Sequence, residues 1–595
     1  MYEPSYIIIN SMLDLPKFDK TLPIFSDTET DDLYGPLRMI QFYQPQTDDK
    51  VYIVDIAPIG FSEDKYQDEL FLIKEFIMEH WTIWFNASYD LGVLNISPSM
   101  GVQSPDEVTM DTKYEHKVDD LLYLVKMAYP EFMEFGLKKI VQKVNSTRGM
   151  YEGIPTTDVV KGFIKGAYIS KSAYKYGALD VIALAKLWDE KKIQLQRENL
   201  AYIVDMKSQA YALVYQQNGL LLDRKMWAEK LEYAEEQVVK YTALLPYGLN
   251  PNSYKQVRAY LETDKSDHEA LVNYAASDKP KAKSAEYIIN LKKYKKQVSY
   301  LKSIEFDRMF TKFNVYGTIS GRFSASGGCL KDHFNAQQIP REFQKLFSQD
   351  TEDTTVIGLD YSTLELRIAC SIFDGKHMYK QLKDGRDLHT EMAMLTTGKS
   401  FPPKDYPNLD DKGLVNTWDE CEYLSAKDRH NAKGINFGYV FGMSAKSFIP
   451  YAFTGYGIVV TLEESEKLRN KYFSLYPEFA QHHSYIWSNY KKPGFTVRTA
   501  LGRRIKPKLG TDGINIPVQG TGAETTKLAA HYMISENPLV LKYMFNVVHD
   551  AIYTRVPKDK AEYYRELQSR CMLKGWTEIS KCNIMKYKDI PMMVD

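Results

Sequence analysis

Val356-Ile357-Gly358-Leu359-Asp360-Tyr361-Ser362-Thr363-Leu364-Glu365-Leu366-Arg367 decides how this 595-residue chain is read. A short apolar run delivers one carboxylate, Asp360, at its end. The chain then turns directly into a helix, with Ser362 and Glu365 at capping-box spacing. Much further along, a second apolar run, Phe545-Asn546-Val547-Val548, ends in His549-Asp550, and residues 551–556 read as its hairpin return. Each of two strands thus carries an aspartate at its tip. Side by side in one sheet, Asp360 and Asp550 would repel each other unless they shared divalent cations. Taken singly, each stretch is equally an ordinary capped helix or hairpin.

Between them, Ser425 and Asp428 again have capping-box spacing, and Arg429, Lys433, Phe437 and Phe441 recur every fourth residue. Neighbours in such a series share a helix face, with a drift of about 40° per step. The face runs from two cations to two aromatic rings, a surface able to hold a triphosphate at one end and stack a base at the other. Gly434, Gly438 and Gly442 form a parallel stripe. Each costs roughly 1 kcal/mol against alanine in a helix, which predicts close approach or movement there. An amphipathic helix with solvated cations would show the same stripe.

Nearer the start, residues 22–26, 38–43 and 51–56 read as a β-meander. Asp27 and Glu29 sit at the end of its first strand, and positions i and i+2 of an extended chain share a face. Residues 81–85 make another strand, leading to Asp90 at a helix start. Tyr176 and Asp180 lie one turn apart on a later helix. Four acids, Asp27, Glu29, Asp90 and Asp180, could bind two metals while Tyr176 orients a water. Each acid alone is equally a helix cap or a surface charge.

Composition sets bounds on this picture. With 44% hydrophobic and 26% charged residues, the chain belongs to the globular class, long enough for about four compact units. The net charge of −1 gives no global sign of nucleic-acid binding, so any DNA surface must come from segregated charge. Five scattered cysteines without a Cys-x-x-Cys pair argue against zinc ribbons and a disulfide framework, and fit a reducing cytoplasm. No stretch approaches the roughly 18 apolar residues of a membrane span, and the start lacks a basic n-region, so neither membrane attachment nor secretion is expected.

Taken in order, the three stretches resemble motifs A, B and C of the A-family DNA polymerases. Asp360-Tyr361-Ser362 with Glu365-Leu366-Arg367 is similar to the first motif. Arg429, Lys433 and Ile435-Asn436-Phe437 are similar to the second, and His549-Asp550 to the third. The four earlier acids with Tyr176 resemble the DEDD-type 3′→5′ proofreading exonuclease. Asp111-Thr112 and Gly136-Leu137-Lys138 are similar to stretches between that family's second and third motifs.

The resemblance implies an α/β multidomain protein: an RNase H-like exonuclease domain over 1–195, then a right-hand polymerase. Its thumb would span 196–315, its palm 316–400 and 511–595, and its fingers 401–510. The activity implied is template-directed DNA synthesis with proofreading, using two Mg²⁺ in each site, with Mn²⁺ able to substitute. Asp360, Asp550 and the Tyr361 carbonyl would be metal ligands in one site; Asp27, Glu29, Asp90 and Asp180 would be ligands in the other. Arg429 and Lys433 would neutralise the leaving pyrophosphate, with Phe437 and Phe441 beside the nucleotide. Glu365 would be a gate against a ribose 2′-hydroxyl, or the helix cap, or both. Phe437 in place of tyrosine implies discrimination against dideoxynucleotides.

DNA contacts are implied for Arg322, Asn335, Gln338, Arg504, Asn515, Gln519 and His549, and for a lysine-rich stretch over 281–312 that would grip duplex phosphates. The implied partners are primer–template DNA and dNTPs, with a replisome helicase or single-strand-binding protein, and the chain would act as a monomer. Compact size and the lack of a 5′-nuclease region imply a phage replicative enzyme in host cytoplasm. Ala551, Phe441 and Thr511 depart from the family's Glu, Tyr and Arg at those positions. Two other readings stay open: a DNA-holding platform for an active exonuclease, and a reverse-transcribing or primer-repair enzyme.

Overall fold

The computed structural model of the chain describes residues 3–31, 35–58, 60–94, 117–132, 134–152, 162–275, 277–327, 331–348 and 350–595. Six strands open the fold: β1 (Tyr6–Ile9), β2 (Ile24–Thr30), β3 (Leu37–Tyr43), β4 (Val51–Asp55), β5 (Thr82–Trp84) and β6 (Val118–Asp120). They lie in the order β1-β4-β3-β2-β5-β6, with β2 antiparallel to β3 and parallel to β5. Strands β3 and β4 are buried at every position. A sheet covered on both faces loses the apolar–polar alternation of a half-exposed one.

The strand expected to stop at Ser26 continues to Thr30. Asp27 and Glu29 therefore lie inside a paired strand, opposite Gln41 and Met39 of β3. Helices α1 (Ala87–Leu94) and α2 (Lys171–Trp188) bring the remaining acids. At Gly177 of α2 a Cβ would stand 2.5 Å from Gln41 Nε2 and 2.9 Å from Met39 Cε. Glycine there lets the helix settle onto the sheet and carry Tyr176 and Asp180 toward β2.

Helix α3 (Leu200–Asn218) leads into α4 (Arg224–Ala243) and α5 (Ala282–Lys302), which pack on each other. A separate apolar cluster around Leu245, Val257, Leu261 and Ile288 holds this region together. The later part is built on a second sheet of β7 (Thr354–Leu359), β8 (Met544–Val548) and β9 (Ala551–Pro557), ordered β7-β9-β8. The two aspartate-bearing strands are thus not neighbours, because the hairpin return β9 lies between them. Leu359 pairs with Ile552 and Val548 with Ala551, so the two-residue turn His549-Asp550 still comes level with Asp360.

Five helices complete this part: α6 (Leu364–Ile372), α7 (Leu388–Thr397), α8 (Ala426–Val440), α9 (Gly510–Glu536) and α10 (Ala561–Ser580); α9 and α10 pack on the sheet, and α8 packs on α7 and α6. Helix α8 starts with the expected reciprocal capping box of Ser425 and Asp428. Helix α6 does not use Ser362: its cap is Thr363, in the left-handed region at φ +51° and without a side-chain cap bond. Glu365 has another partner, described below. The glycine stripe of α8 marks close approach. A Cβ on Gly434 would lie 2.8 Å from the Tyr456 ring, and one on Gly438 2.8 Å from Phe448. Among the described residues no helix is long and apolar enough to cross a membrane.

Candidate active sites

The ligand oxygens of Asp27, Glu29 and Asp180 all lie within 4.8 Å of one another. Hard cations take carboxylate oxygens at such spacing. Asp90, buried on α1, accepts hydrogen bonds from the Thr28 backbone N–H (3.1 Å) and hydroxyl (2.5 Å), which ties it to β2 between the two acids. Burial, then the charges of Asp90, Asp180 and Glu29, push Asp27 well above the usual carboxylate range, with Lys138 opposing. Burial likewise raises Asp90 to about 7 and Asp180 to about 6. Crowded acids of this kind either hold protons or share a cation.

The Tyr176 hydroxyl accepts a hydrogen bond from the Lys138 ammonium, which also lies 4.1 Å from the centre of the tyrosine ring. Tyr151 donates to the Asp180 carboxylate. Lys138 was visible in the sequence only as part of a similar stretch, and Tyr151 carried no signal of spacing or motif. Asp111-Thr112 lies outside the described residues.

The second centre joins residues remote in sequence. Asp360 follows β7 and Asp550 occupies the β8–β9 turn, close enough that each carboxyl group shifts the titration of the other. Burial, then the charge of Asp550, raises Asp360 to about 7, while the Tyr361 N–H donates to it and opposes the shift. His549 beside it is exposed and has φ +56°, a strained conformation for a non-glycine residue that the tight hairpin imposes.

Tyr361 is anchored by its hydroxyl, which donates to the Met572 carbonyl at 2.6 Å. The chain's last residues run antiparallel beside it: Asp360 and Asp595 exchange backbone hydrogen bonds, each 3.0 Å. Tyr361 then falls at the non-hydrogen-bonded pair with Val594, where its carbonyl turns away from that segment.

The two arginines expected to meet substrate have acidic partners within the protein. Arg322 pairs with Glu365, whose pKa burial raises and Arg322 opposes. Arg429 forks onto Asp387 at 3.1 and 2.7 Å. Asp387 also caps α7 by accepting from Thr390 N–H at 2.7 Å. Burial would raise Asp387, yet the Arg429 hydrogen bonds bring it down to about 2. Lys433 is exposed, 6.0 Å from the centre of the Phe437 ring. Phe441 lies just past the helix, as its C-cap, before Gly442 at φ +77°.

Asp387 and His389 are site residues that the sequence reading missed. The His389 ring is 5.8 Å from that of Phe437 and 3.0 Å from the Asn436 amide; burial lowers its pKa to about 4, so it is neutral. Its Nε2 is buried without a partner. The available signal was Asp387 placed three residues before Thr390, an N-cap pattern ahead of a histidine.

The residues expected to touch DNA are differently placed. Arg504 is exposed on a short hairpin strand, while neighbouring Arg503 is fully buried against Asp205 at 2.7 Å, a carboxylate it shares with Lys527. Asn335 is engaged locally, donating to the Ala325 carbonyl at 2.7 Å and capping Gln337. Gln338 is exposed, and it is Gln337 that reaches the Val547 carbonyl, at 3.0 Å. Asn515 and Gln519 stand one turn apart on α9, with Pro517 between them; the Asn515 side-chain oxygen is buried without a partner.

The site thus combines a three-stranded sheet, with aspartates at a strand end and a hairpin turn, and a helix of cations and rings packed on the helix that follows Asp360. The sequence profile of DNA polymerase family A matches residues 223–405 and 414–584, more than half of the chain, and the chain belongs to that family. It is 29% identical over 446 residues to DNA polymerase I of Aquifex aeolicus, covering 68% of this chain and 72% of that one. It is 26% identical over 277 residues to the thermostable DNA polymerase I of Thermus aquaticus, covering 44% of this chain and 30% of that one. Among solved structures, the POL domain of Pol1 from M. smegmatis, in complex with DNA primer-template and dNTP, has a similar fold. The TM-score is 0.67 at 14% identity, over 96% of this chain and 94% of that one.

Proposed function

We propose that the chain is a template-directed DNA polymerase with a 3′→5′ proofreading exonuclease. Residues 1–195 form the exonuclease domain; 196–315, 316–400 with 511–595, and 401–510 form thumb, palm and fingers. The observation that carries the reading is the meeting of Asp360 and Asp550 across the β7-β9-β8 sheet, where burial and then the charge of Asp550 raise the pKa of Asp360. Three carboxylates within 4.8 Å on β2 and α2 support the second activity.

Both acid sets fit divalent cations, being oxygen ligands crowded enough that, on top of burial, Asp550 raises Asp360, and Asp90, Asp180 and Glu29 raise Asp27. Mg²⁺ bound there would supply charge stabilisation at the attacking and leaving oxygens of phosphoryl transfer. In the polymerase site, Asp360, Asp550 and the Tyr361 carbonyl would hold it. Arg429 and Lys433 would bind the triphosphate and offset charge on the departing pyrophosphate. Phe437 would pack against the incoming sugar and base. Glu365, held by Arg322, would crowd a ribose 2′-hydroxyl. Arg322, Asn335, Gln338, Arg504, Asn515, Gln519 and His549 would line the path of primer and template. In the exonuclease site, Asp27, Glu29, Asp90 and Asp180 would hold metal, and Tyr176 would orient the attacking water. The resemblance adds a phage replicative setting, with a helicase or single-strand-binding protein as partners.

Primer extension on DNA and RNA templates, with wild type, Asp550→Ala and the Asp27→Ala/Glu29→Ala pair, tests the reading. Wild type should extend on DNA and degrade 3′ ends, and each variant should lose one activity. Degradation without extension would make the polymerase half a DNA-holding platform. Preferential extension on RNA would make the enzyme a reverse transcriptase.

A further inference from the structure

The short helix Leu137–Lys143 is anchored by buried Ile140 and Val141, and its second residue, Lys138, is half-buried beside the first acidic centre. The Lys138 ammonium lies between two rings, 4.1 Å from the centre of Tyr176 and 5.8 Å from that of Tyr151, with the ring centres 6.3 Å apart. Burial raises Asp27, Glu29 and Asp180, and the charge of Lys138 opposes the rise in each, which places the ammonium within reach of all three carboxylates. Among the described residues it nevertheless forms no ion pair, and its hydrogen bond goes to the Tyr176 hydroxyl.

That choice of partner fixes the direction of a proton. A phenol oxygen carries one proton to donate and accepts at its lone pairs. With Lys138 donating to that oxygen, the Tyr176 proton is directed away from the ammonium, and a phenol keeps its proton at working pH. Tyr151 directs its own proton at the Asp180 carboxylate, so the two tyrosines both enter the centre as donors. A water held there accepts from Tyr176 and donates to the carboxylates, which leaves a lone pair free to face phosphorus. Without the ammonium the phenol is free to rotate and accept from that water instead, and the lone pair is no longer aimed.

Resting on the exonuclease reading above, we propose that Lys138 is a positioning residue of that centre, holding the Tyr176 hydroxyl as a donor to the attacking water. The test is degradation of single-stranded DNA by the full chain with Mg²⁺, followed at the 3′ end. Lys138→Met should lower kcat at least about tenfold, the scale of one charge-assisted hydrogen bond, and leave KM for single-stranded DNA within about twofold. Lys138→Arg returns a cationic donor and should recover degradation to within about threefold of wild type. In a Tyr176→Phe background, whose residual rate is read over hours, Lys138→Met should change that rate less than about twofold, because the group through which it acts is gone. An undiminished kcat in Lys138→Met overturns the proposal. A loss in KM alone marks a phosphate contact and overturns it too, as does an equal loss in both backgrounds, which marks direct action on the carboxylates or the substrate. Primer extension by each sample reports the fold, and Lys138→Gln replaces Lys138→Met if that variant fails to extend. A wild-type chain that extends primers but leaves single-stranded 3′ ends intact strikes the exonuclease reading itself.

Discussion

At the first acidic centre, carboxylates converge from one strand and two helices, and the ammonium of Lys138 opposes their charge. At the second, two carboxylates meet at a strand end and a hairpin turn, and the arginines expected to hold substrate already grip acids of the protein: Arg322 holds Glu365 and Arg429 holds Asp387. The first centre is excess negative charge, ready for cations. At the second, the two arginines are already paired in the free chain, so a triphosphate would reach Arg429 only by displacing Asp387. Asp387, held down to about 2, stays ionised at every working pH, so the competing pair with Arg429 is always present.

The sharpest way to break this contrast is to disable each centre in turn. Asp360→Asn should lower extension by about a thousandfold or more, because several kcal/mol of metal-supplied stabilisation disappears, and leave degradation within about twofold. Asp27→Asn/Glu29→Gln should do the reverse. A variant that cripples both activities in gel-based assays would show the centres to be one coupled system.

Partner exchange at the second centre predicts a split between two residues of one ion pair. Arg429→Ala should reduce kcat/KM for dNTPs by about a hundredfold or more, the scale for truncating one member of a buried charged contact. Asp387→Asn keeps a helix-capping side chain but weakens the competitor, and the dNTP KM should fall by about two- to fivefold. A higher KM would mean that Asp387 orients Arg429 rather than occupies it.

A smaller effect tests the ring that follows the cations on α8. Phe437→Tyr should raise dideoxynucleotide incorporation relative to dNTP by about tenfold, the value of one added hydrogen bond of about 1.4 kcal/mol. No change in the chain-termination ratio removes Phe437 from the sugar site.

The smallest predicted effect is thermal. Asp90 and Asp360 sit near 7 in the folded chain, against about 3.9 for an unfolded aspartate. Between those values the folded chain binds more protons, so these groups make metal-free stability fall as pH rises from about 4 to 7. Mg²⁺ bound at these carboxylates would favour their ionised form and offset that loss. The Mg²⁺-induced rise in Tm should therefore be larger at pH 8 than at pH 5, by a few degrees in scanning fluorimetry, and smaller in Asp27→Asn/Glu29→Gln. An equal rise at both pH values would count against metal at these carboxylates.

Local order was readable wherever neighbours along the chain set it. The Ser425–Asp428 box starts α8, its glycines accept close neighbours, and Asp27 and Glu29 share a face of β2, because helix and strand periods follow from backbone geometry alone. Ser362 shows the limit. Its spacing to Glu365 matches the box at Ser425, yet Arg322 arrives from a distant loop and takes the carboxylate. The site residues missed, Asp387, His389 and Tyr151, became functional candidates only through what they touch.

By itself the sequence determined the strand-to-helix turn that presents Asp360, the hairpin that presents Asp550, and the face bearing Arg429, Lys433 and Phe437. Only the tertiary structure decided that β9 would lie between the two aspartate strands, that both arginines would be held by acids, and that Lys138 would reach Tyr176. Periodicity is a property of a few consecutive residues. Charge pairing belongs to whichever groups burial forces together, and desolvation makes an unpartnered charge too unfavourable to leave in place.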